Sequence, residues 1–211
     1  MNPRTPKMCP ICARPATQLN DEPATNIYYV ACRKCGKFSL SGLEYETFFE
    51  LHNSDSTEKV LLPYLSAYTR HATERGERIF LDNENWKEDA AAYAHTSVGT
   101  KLIRFLEIVA LRSNPGKSGR LDRIEDGSLL DAFDSDEVIF LANTLHQREL
   151  INFAGDDFYA LTAKGWEQIQ TGTINGIPGK CFIAMSFDKS LTEAFKEGIS
   201  PAVKRTVIWS R

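Results

Sequence analysis

Apolar positions recur along this chain with helical spacing through its middle and with strand spacing near its ends. Ser56-Thr57-Glu58 opens a helical run that reaches Arg75 and closes at Gly76, with Val60, Leu61, Leu65 and Tyr68 as its stripe. Pro63 lies near its start and shifts the first full turn. A second run extends from Gly99 to Ser113 and carries Leu102, Ile103, Leu106, Val109 and Ala110. A third begins at Ser135-Asp136-Glu137, presents Val138, Leu141, Ala142 and Leu145, and ends near Glu149. Between them, Arg78 to Leu81 reads as a short strand, Asp82 or Asn83 caps a short helix through Trp86, and His95 to Val98 connects. Asn114 to Gly119 is a loop by composition. Gly116-Lys117-Ser118 within it lacks the upstream glycine and preceding strand of a phosphate-binding loop.

After the third helix, Leu150-Ile151-Asn152-Phe153 and Phe158-Tyr159-Ala160-Leu161 read as a hairpin turning at Gly155-Asp156-Asp157. Thr162 then caps a helix carrying Trp166 and Ile169. Helix, helix, hairpin, helix over residues 98–172 is the order of a winged-helix unit. Its charges oppose contact with a duplex, because Asp136-Glu137 opens the recognition helix and Asp156-Asp157 occupies the wing tip, where carboxylates repel phosphates. Asn143, Gln147 and Arg148 are the side chains that would reach base edges, and a solvated polar face accounts for them equally.

Four of the five cysteines fall in two pairs, Cys9-Pro-Ile-Cys12 and Cys32-Arg-Lys-Cys35, with nineteen residues between the pairs. A two-residue gap lets one tight turn aim two thiolates at one ion, and two such turns complete a tetrahedron of sulfurs. The spacing predicts one structural Zn2+ ion held by Cys9, Cys12, Cys32 and Cys35, with no position left open for catalysis. Gly36 supplies the unrestricted backbone needed to leave the second turn. Ile27 to Val30 reads as a strand leading into it. A ribbon of about 40 residues has too small a core to fold alone, so metal supplies much of its folding energy, and chelation is expected to unfold residues 1–40 while the winged helix survives.

The chain has 211 residues, 42% of them apolar and 25% charged, with a net charge of −3. That is enough for a large domain or two to three small ones. The sign of the charge varies along the chain: residues 1–40 carry +4, residues 41–100 −6, residues 101–171 −4 and residues 172–211 +3. Arg33, Lys34 and Lys37 crowd the second cysteine pair and are the candidate nucleic-acid contacts, a solvated basic rim being the alternative. No apolar run is long enough to span a bilayer and no apolar signal segment opens the chain, so cytoplasm is the expected compartment and no membrane the expected partner. His52, His71, His95 and His146 are scattered, none at metal or triad spacing with a partner.

From Cys181, after Pro178-Gly179, the chain reads CFIAM, the continuous apolar run of a buried parallel strand. Ser186-Phe187-Asp188 leaves it, Ser190 or Thr192 caps a helix with Leu191, Phe195 and Ile199 on its apolar face, and Pro201 starts another turn. The stretch CFIAMSFDKSLTEAFKEGISPAVKRT resembles the opening of a nucleoside 2-deoxyribosyltransferase-like domain, a relative of TIR domains. Proteins of that kind also resemble the present order of a four-cysteine ribbon, a helical stretch, a winged helix with an LT-x-x-G-W helix, and the nucleotide-processing domain; several belong to bacterial defence or signalling. The resemblance implies a nucleotide pocket at Met185, Ser186, Phe187 and Asp188, for which core packing and capping are the plainer account. It also implies a catalytic glutamate far downstream, and no catalytic residue carries over, since the chain ends at Val207-Ile208-Trp209-Ser210-Arg211.

The expected fold is therefore α+β and multidomain: a zinc ribbon over residues 1–42, a mainly helical connection over 43–97, a winged-helix-like domain over 98–172, and over 180–211 the β-α start of an α/β (flavodoxin/TIR-like) domain, truncated there. The expected function is that of a non-catalytic sensor or assembly region of a bacterial nucleotide-processing protein. The alternative is a stand-alone zinc-dependent nucleic-acid-binding regulator. Expected partners are nucleic acid at the ribbon, a nucleotide only where the C-terminal domain is complete, and another protein or a second copy.

Overall fold

The structure, a computed structural model, describes residues 8–16, 18–22, 26–82 and 85–173. The expected β-α segment from Cys181, with Met185, Ser186, Phe187 and Asp188, lies outside the described residues. Two compact units divide the chain, Met1–Trp166 and Glu167–Arg211. The first is mixed α and β, with two small sheets.

The first sheet has the order β1-β2-β3-β4: Gln18–Glu22, Ile27–Cys32 and Gly36–Ser41 pair antiparallel, and Phe80–Leu81 joins parallel to β3. β2 and β3 alternate as a half-buried strand should, with Val30, Phe38 and Leu40 inward. Helix α1, Gly42–Asn53, follows directly. Ser41 caps it and accepts from the N–H of Glu44. The run expected from Ser56 is split: a 3₁₀ turn at Thr57–Leu61 precedes α2 at Leu62–Glu74, with Pro63 in the first turn where its missing N–H costs nothing. The stripe differs from expectation too. Val60 is exposed, whereas Leu62, Leu65 and Ala72 are buried beside the polar Ser66, Thr69 and His71. Trp86 does not end a helix but begins one, α3, Trp86–Ala94, and Asp82 Oδ1 accepts the N–H of Asn85 at 3.2 Å just ahead of it.

The second half runs α4 (Val98–Leu111), β5 (Ser118–Arg120), a 3₁₀ turn (Gly127–Leu130), α5 (Ser135–Gln147), β6 (Ile151–Gly155), β7 (Phe158–Leu161) and α6 (Ala163–Thr173). Its sheet is antiparallel in the order β5-β7-β6. Strand β5 arises from the segment read as loop, three residues that pair only because β7 lies alongside. On α4, Phe105 and Ile108 are buried while Ile103, placed inward from the sequence, is exposed. On α5 the buried set is Val138, Leu141, Ala142 and Leu145, as the spacing predicts. Asp134 caps this helix, accepting from the N–H of Glu137 at 2.8 Å, and Glu137 Oε2 in turn accepts the N–H of Phe133 at 2.7 Å.

Around the cysteines the core is continuous. Cys9, Ile11, Cys32 and Cys35 belong to one apolar cluster with Phe48 and Leu51 of α1, Leu62, Leu65 and Ala72 of α2, and Trp86 and Ala90 of α3. The two cysteine turns thus pack on three helices instead of enclosing a core of their own.

Candidate metal centre

Each cysteine turn is held by one helix. The first, at Cys9 to Cys12, is closed by the N–H of Ala13 donating to the Cys9 carbonyl at 2.9 Å and the N–H of Cys9 donating to the Arg14 carbonyl at 2.7 Å. Helix α1 seats it: Tyr45 donates its hydroxyl to the Met8 carbonyl at 3.3 Å, and His52 Nε2 bonds the Pro10 carbonyl at 3.0 Å. The second turn lies on a polar stripe of α2 formed by Ser66, Arg70 and Thr73, three and four residues apart. Arg70 donates to the Arg33 carbonyl, Thr73 Oγ1 accepts the N–H of Lys37 at 2.6 Å, and Ser66 Oγ lies 3.1 Å from Cys35 Sγ.

Gly36 sits where this turn meets α2. Its φ is +78°, and a Cβ there would stand 2.2 Å from Thr73 Oγ1 and 3.1 Å from the Thr69 carbonyl. Both the backbone conformation and the space demand glycine. Gly36→Ala is expected to lower unfolding stability by about 2–4 kcal/mol, the sum of left-handed strain and overpacking. The denaturant midpoint measures it, and a loss below about 0.5 kcal/mol contradicts the close approach.

The two turns bring Cys9, Cys12, Cys32 and Cys35 together with their sulfurs all within 4.8 Å of one another. Cys12 Sγ and Cys32 Sγ are 3.6 Å apart, and all four are free thiols. Sulfurs at about 2.3 Å from a shared ion stand about 3.8 Å apart, so the set fits a metal ion. Cys9 and Cys35 are fully buried. Hydrogen bonding with Cys12 pushes the Cys9 thiol up, burial pushes the Cys35 thiol up, and a hydrogen bond from Cys12 holds Cys32 far down. The four sulfurs are close enough to ligate one shared ion.

The three basic residues beside the second cysteine pair have different neighbours. Arg33 is exposed and lies 3.7 Å from Glu125. Lys34 lines a cavity of about 280 Å³ with Arg14, Arg123, Ile124 and Phe133. Lys37 borders a different cavity, with Arg78 and Thr73. Of the two wing-tip carboxylates, Asp157 pairs with Arg123 at 3.2 Å. The outer face of α5 is also less polar than expected, since Ile139 and Phe140 are exposed there.

One histidine has a partner the sequence did not disclose. His71 Nε2 is 2.7 Å from Asp131 Oδ1, both side chains being almost wholly buried. Thr96 donates to Asp131 Oδ2 at 2.7 Å and Arg104 donates to the same oxygen. Sixty residues separate His71 from Asp131, which is why spacing carries no signal of the pair. The polar residues on the buried face of α2 are the trace that sequence reading passes over: Ser66, Thr69 and His71 interrupt an apolar stripe, and buried polar groups are bonded to something.

No protein-family model matches the chain, nor does any curated protein or solved structure. Among the described residues, no helix is long and apolar enough to cross a membrane.

Proposed function

We propose that this chain is the zinc-stabilised, non-catalytic sensing and assembly region of a nucleotide-processing protein of the nucleoside 2-deoxyribosyltransferase-like, TIR-related kind. The observation that carries the structural part is the closure of the cysteine site: four protein thiols, two of them fully buried, leave no exposed position for a substrate. All-sulfur ligation in a tetrahedral arrangement favours zinc over harder divalent ions. The second half supports a winged-helix reading. A helix, a strand, a short turn, a helix and a hairpin follow one another, the first strand pairs with the last, and the helix preceding the hairpin presents its outer face to solvent. Exposed Ile139 and Phe140 beside Asp136 suit a protein partner better than a phosphate backbone. The nucleotide-processing part rests on the motif from Cys181 onward.

Purified under reducing conditions, the protein is expected to carry one zinc per chain by elemental analysis, and to leave nucleosides and NAD intact. Zinc below about 0.2 per chain in freshly isolated protein overturns the metal assignment, and turnover of either substrate class overturns the non-catalytic one.

The cavity beside Lys34 favours a second reading, nucleic-acid binding, since Arg14, Lys34 and Arg123 gather there from three segments. A titration with single-stranded and duplex oligonucleotides decides it: affinity that falls steeply with salt and drops on Lys34→Glu supports this reading, and no binding at low salt removes it.

A further inference from the structure

Beyond the four ligands, a chain of hydroxyls leads away from the cysteine site. Cys35 Sγ is 3.1 Å from Ser66 Oγ, and Ser66 Oγ is 2.7 Å from Ser128 Oγ. Cys35, Ser66 and Ser128 are all buried, with exposures of 0%, 1% and 0%. Ser66 belongs to α2 and Ser128 to the 3₁₀ turn Gly127–Leu130 in the second half of the fold. Sixty-two residues separate the two serines, so this contact is made by the fold and not by local geometry.

We propose that Ser66 and Ser128 are positioning residues of the metal centre, which orient and stabilise the Cys35 sulfur and tie metal binding to the second half of the protein. This rests on the metal reading above. A metal-bound thiolate only accepts hydrogen bonds. Ser66 must then donate its hydroxyl proton to Cys35, and its own oxygen is left to accept from Ser128. The metal therefore fixes a direction along a chain that is otherwise free to reverse, because either hydroxyl can donate. The bond also answers a charge problem: Cys35 has no access to water, so the Ser66 hydroxyl takes the place of hydration at a buried anionic sulfur. Partners of this kind typically change metal affinity by about 10–100-fold. The same 3₁₀ turn leads directly into Asp131, which bonds His71 five residues further along α2. Two side chains of one helix thus clamp one turn, and one of them touches a metal ligand.

The test uses the whole chain. Zinc affinity is measured by competition with a chromogenic chelator, and the thiolate-to-cobalt charge-transfer band is recorded after cobalt substitution. Ser66→Ala is expected to weaken zinc binding about 10–100-fold and to move the cobalt band to lower energy, because a sulfur that has lost a hydrogen bond donates charge more readily. Ser128→Ala, which leaves the Cys35 contact in place, is expected to move both readouts in the same direction by less. The double variant is expected to lose no more than Ser66→Ala alone, since Ser128 acts through Ser66. A merely structural role would lower denaturant stability without moving the cobalt band. Zinc affinity within twofold of the wild type and an unmoved band in both single variants overturn the relay while leaving the metal site standing. Wild-type protein that binds neither ion overturns the metal reading and the relay with it.

Discussion

Withdrawing the ion from the four-cysteine site is expected to unfold residues 8–94 as a unit, helices included, and not the two cysteine turns alone. The sequence leads to the opposite expectation, a ribbon of about 40 residues that melts by itself. The difference is decided by where the apolar side chains of the ribbon go. Cys9, Ile11, Val30 and Phe38 share one cluster with Phe48, Leu65, Trp86 and Ala90, so the ribbon is one wall of a core whose other walls are α1, α2 and α3. Phe48 meets Trp86 edge to face at 5.2 Å inside that cluster. Metal binding in small four-ligand sites contributes on the order of 10–16 kcal/mol of apparent folding free energy, comparable to the whole stability of a domain, about 5–15 kcal/mol. Four thiols left at this separation without a cation also repel once ionised. Hydrogen exchange after treatment with a strong chelator is the measurement. Amides of α2, around Leu65 and Thr69, are expected to lose protection together with those of β2 and β3. Fast exchange confined to residues 8–41, with α2 still protected, would restore the modular ribbon. Cys35→Ser is expected to reproduce the chelated state at any zinc concentration that saturates the wild type.

The parts of the fold legible in the sequence are those in which one local pattern decides the outcome. The C-x2-C spacing names all four sulfurs, because two thiols on one turn have few other uses in a reduced protein. The α5 helix is legible from Ser135 to Leu145, since a helix-start signal and a clean apolar face agree with one another, while the cap at Asp134 is seen only in the structure. The hairpin after it announces itself by two short β-rich runs flanking Gly155-Asp156. What is not legible is everything that depends on a distant segment. Strand β5 is three residues long, overlaps the stretch read as a loop, and pairs because β7 offers it an edge. Helix α2 buries Ser66, Thr69 and His71, positions that an amphipathic reading turns outward: Ser66 meets Cys35 and Ser128, His71 meets Asp131, and Thr69 bonds carbonyls of its own helix. Ile103 errs in the other direction: an apolar residue at helical spacing that remains exposed, since nothing among the described residues packs over it. Of the basic residues around the second cysteine pair, Lys34 and Lys37 border separate cavities, which the sequence alone does not disclose.

Asp131 is expected to be the most costly polar side chain to remove. Its Oδ1 accepts from His71 and its Oδ2 from Thr96 and Arg104, drawing α2, the segment after α3, and α4 onto one carboxylate. The carboxylate is fully buried, and its residue holds a left-handed backbone with φ of 53° that closes the 3₁₀ turn. Asp131→Ala would leave the imidazole of His71 and the guanidinium of Arg104 facing an apolar gap, and breaking a buried pair on one side costs about 3–5 kcal/mol. Asp131→Asn keeps the shape but removes the charge, so its loss is expected to be smaller, on the order of 1–3 kcal/mol. The charge gives the prediction a pH signature. Burial raises the carboxyl pKa, but the hydrogen bond and charge of His71, with Arg104 and Thr96, outweigh it and hold the group below the usual carboxylate range. A depressed folded-state pKa contributes stability that is present in full above the unfolded pKa, about 3.9, and is lost as pH falls through the folded value. The stability difference between wild type and Asp131→Asn, from urea midpoints, should therefore stay flat from pH 8 to pH 5 and close below about pH 4. A difference already closing near neutrality would mean that the carboxylate of Asp131 is not what holds the three segments together.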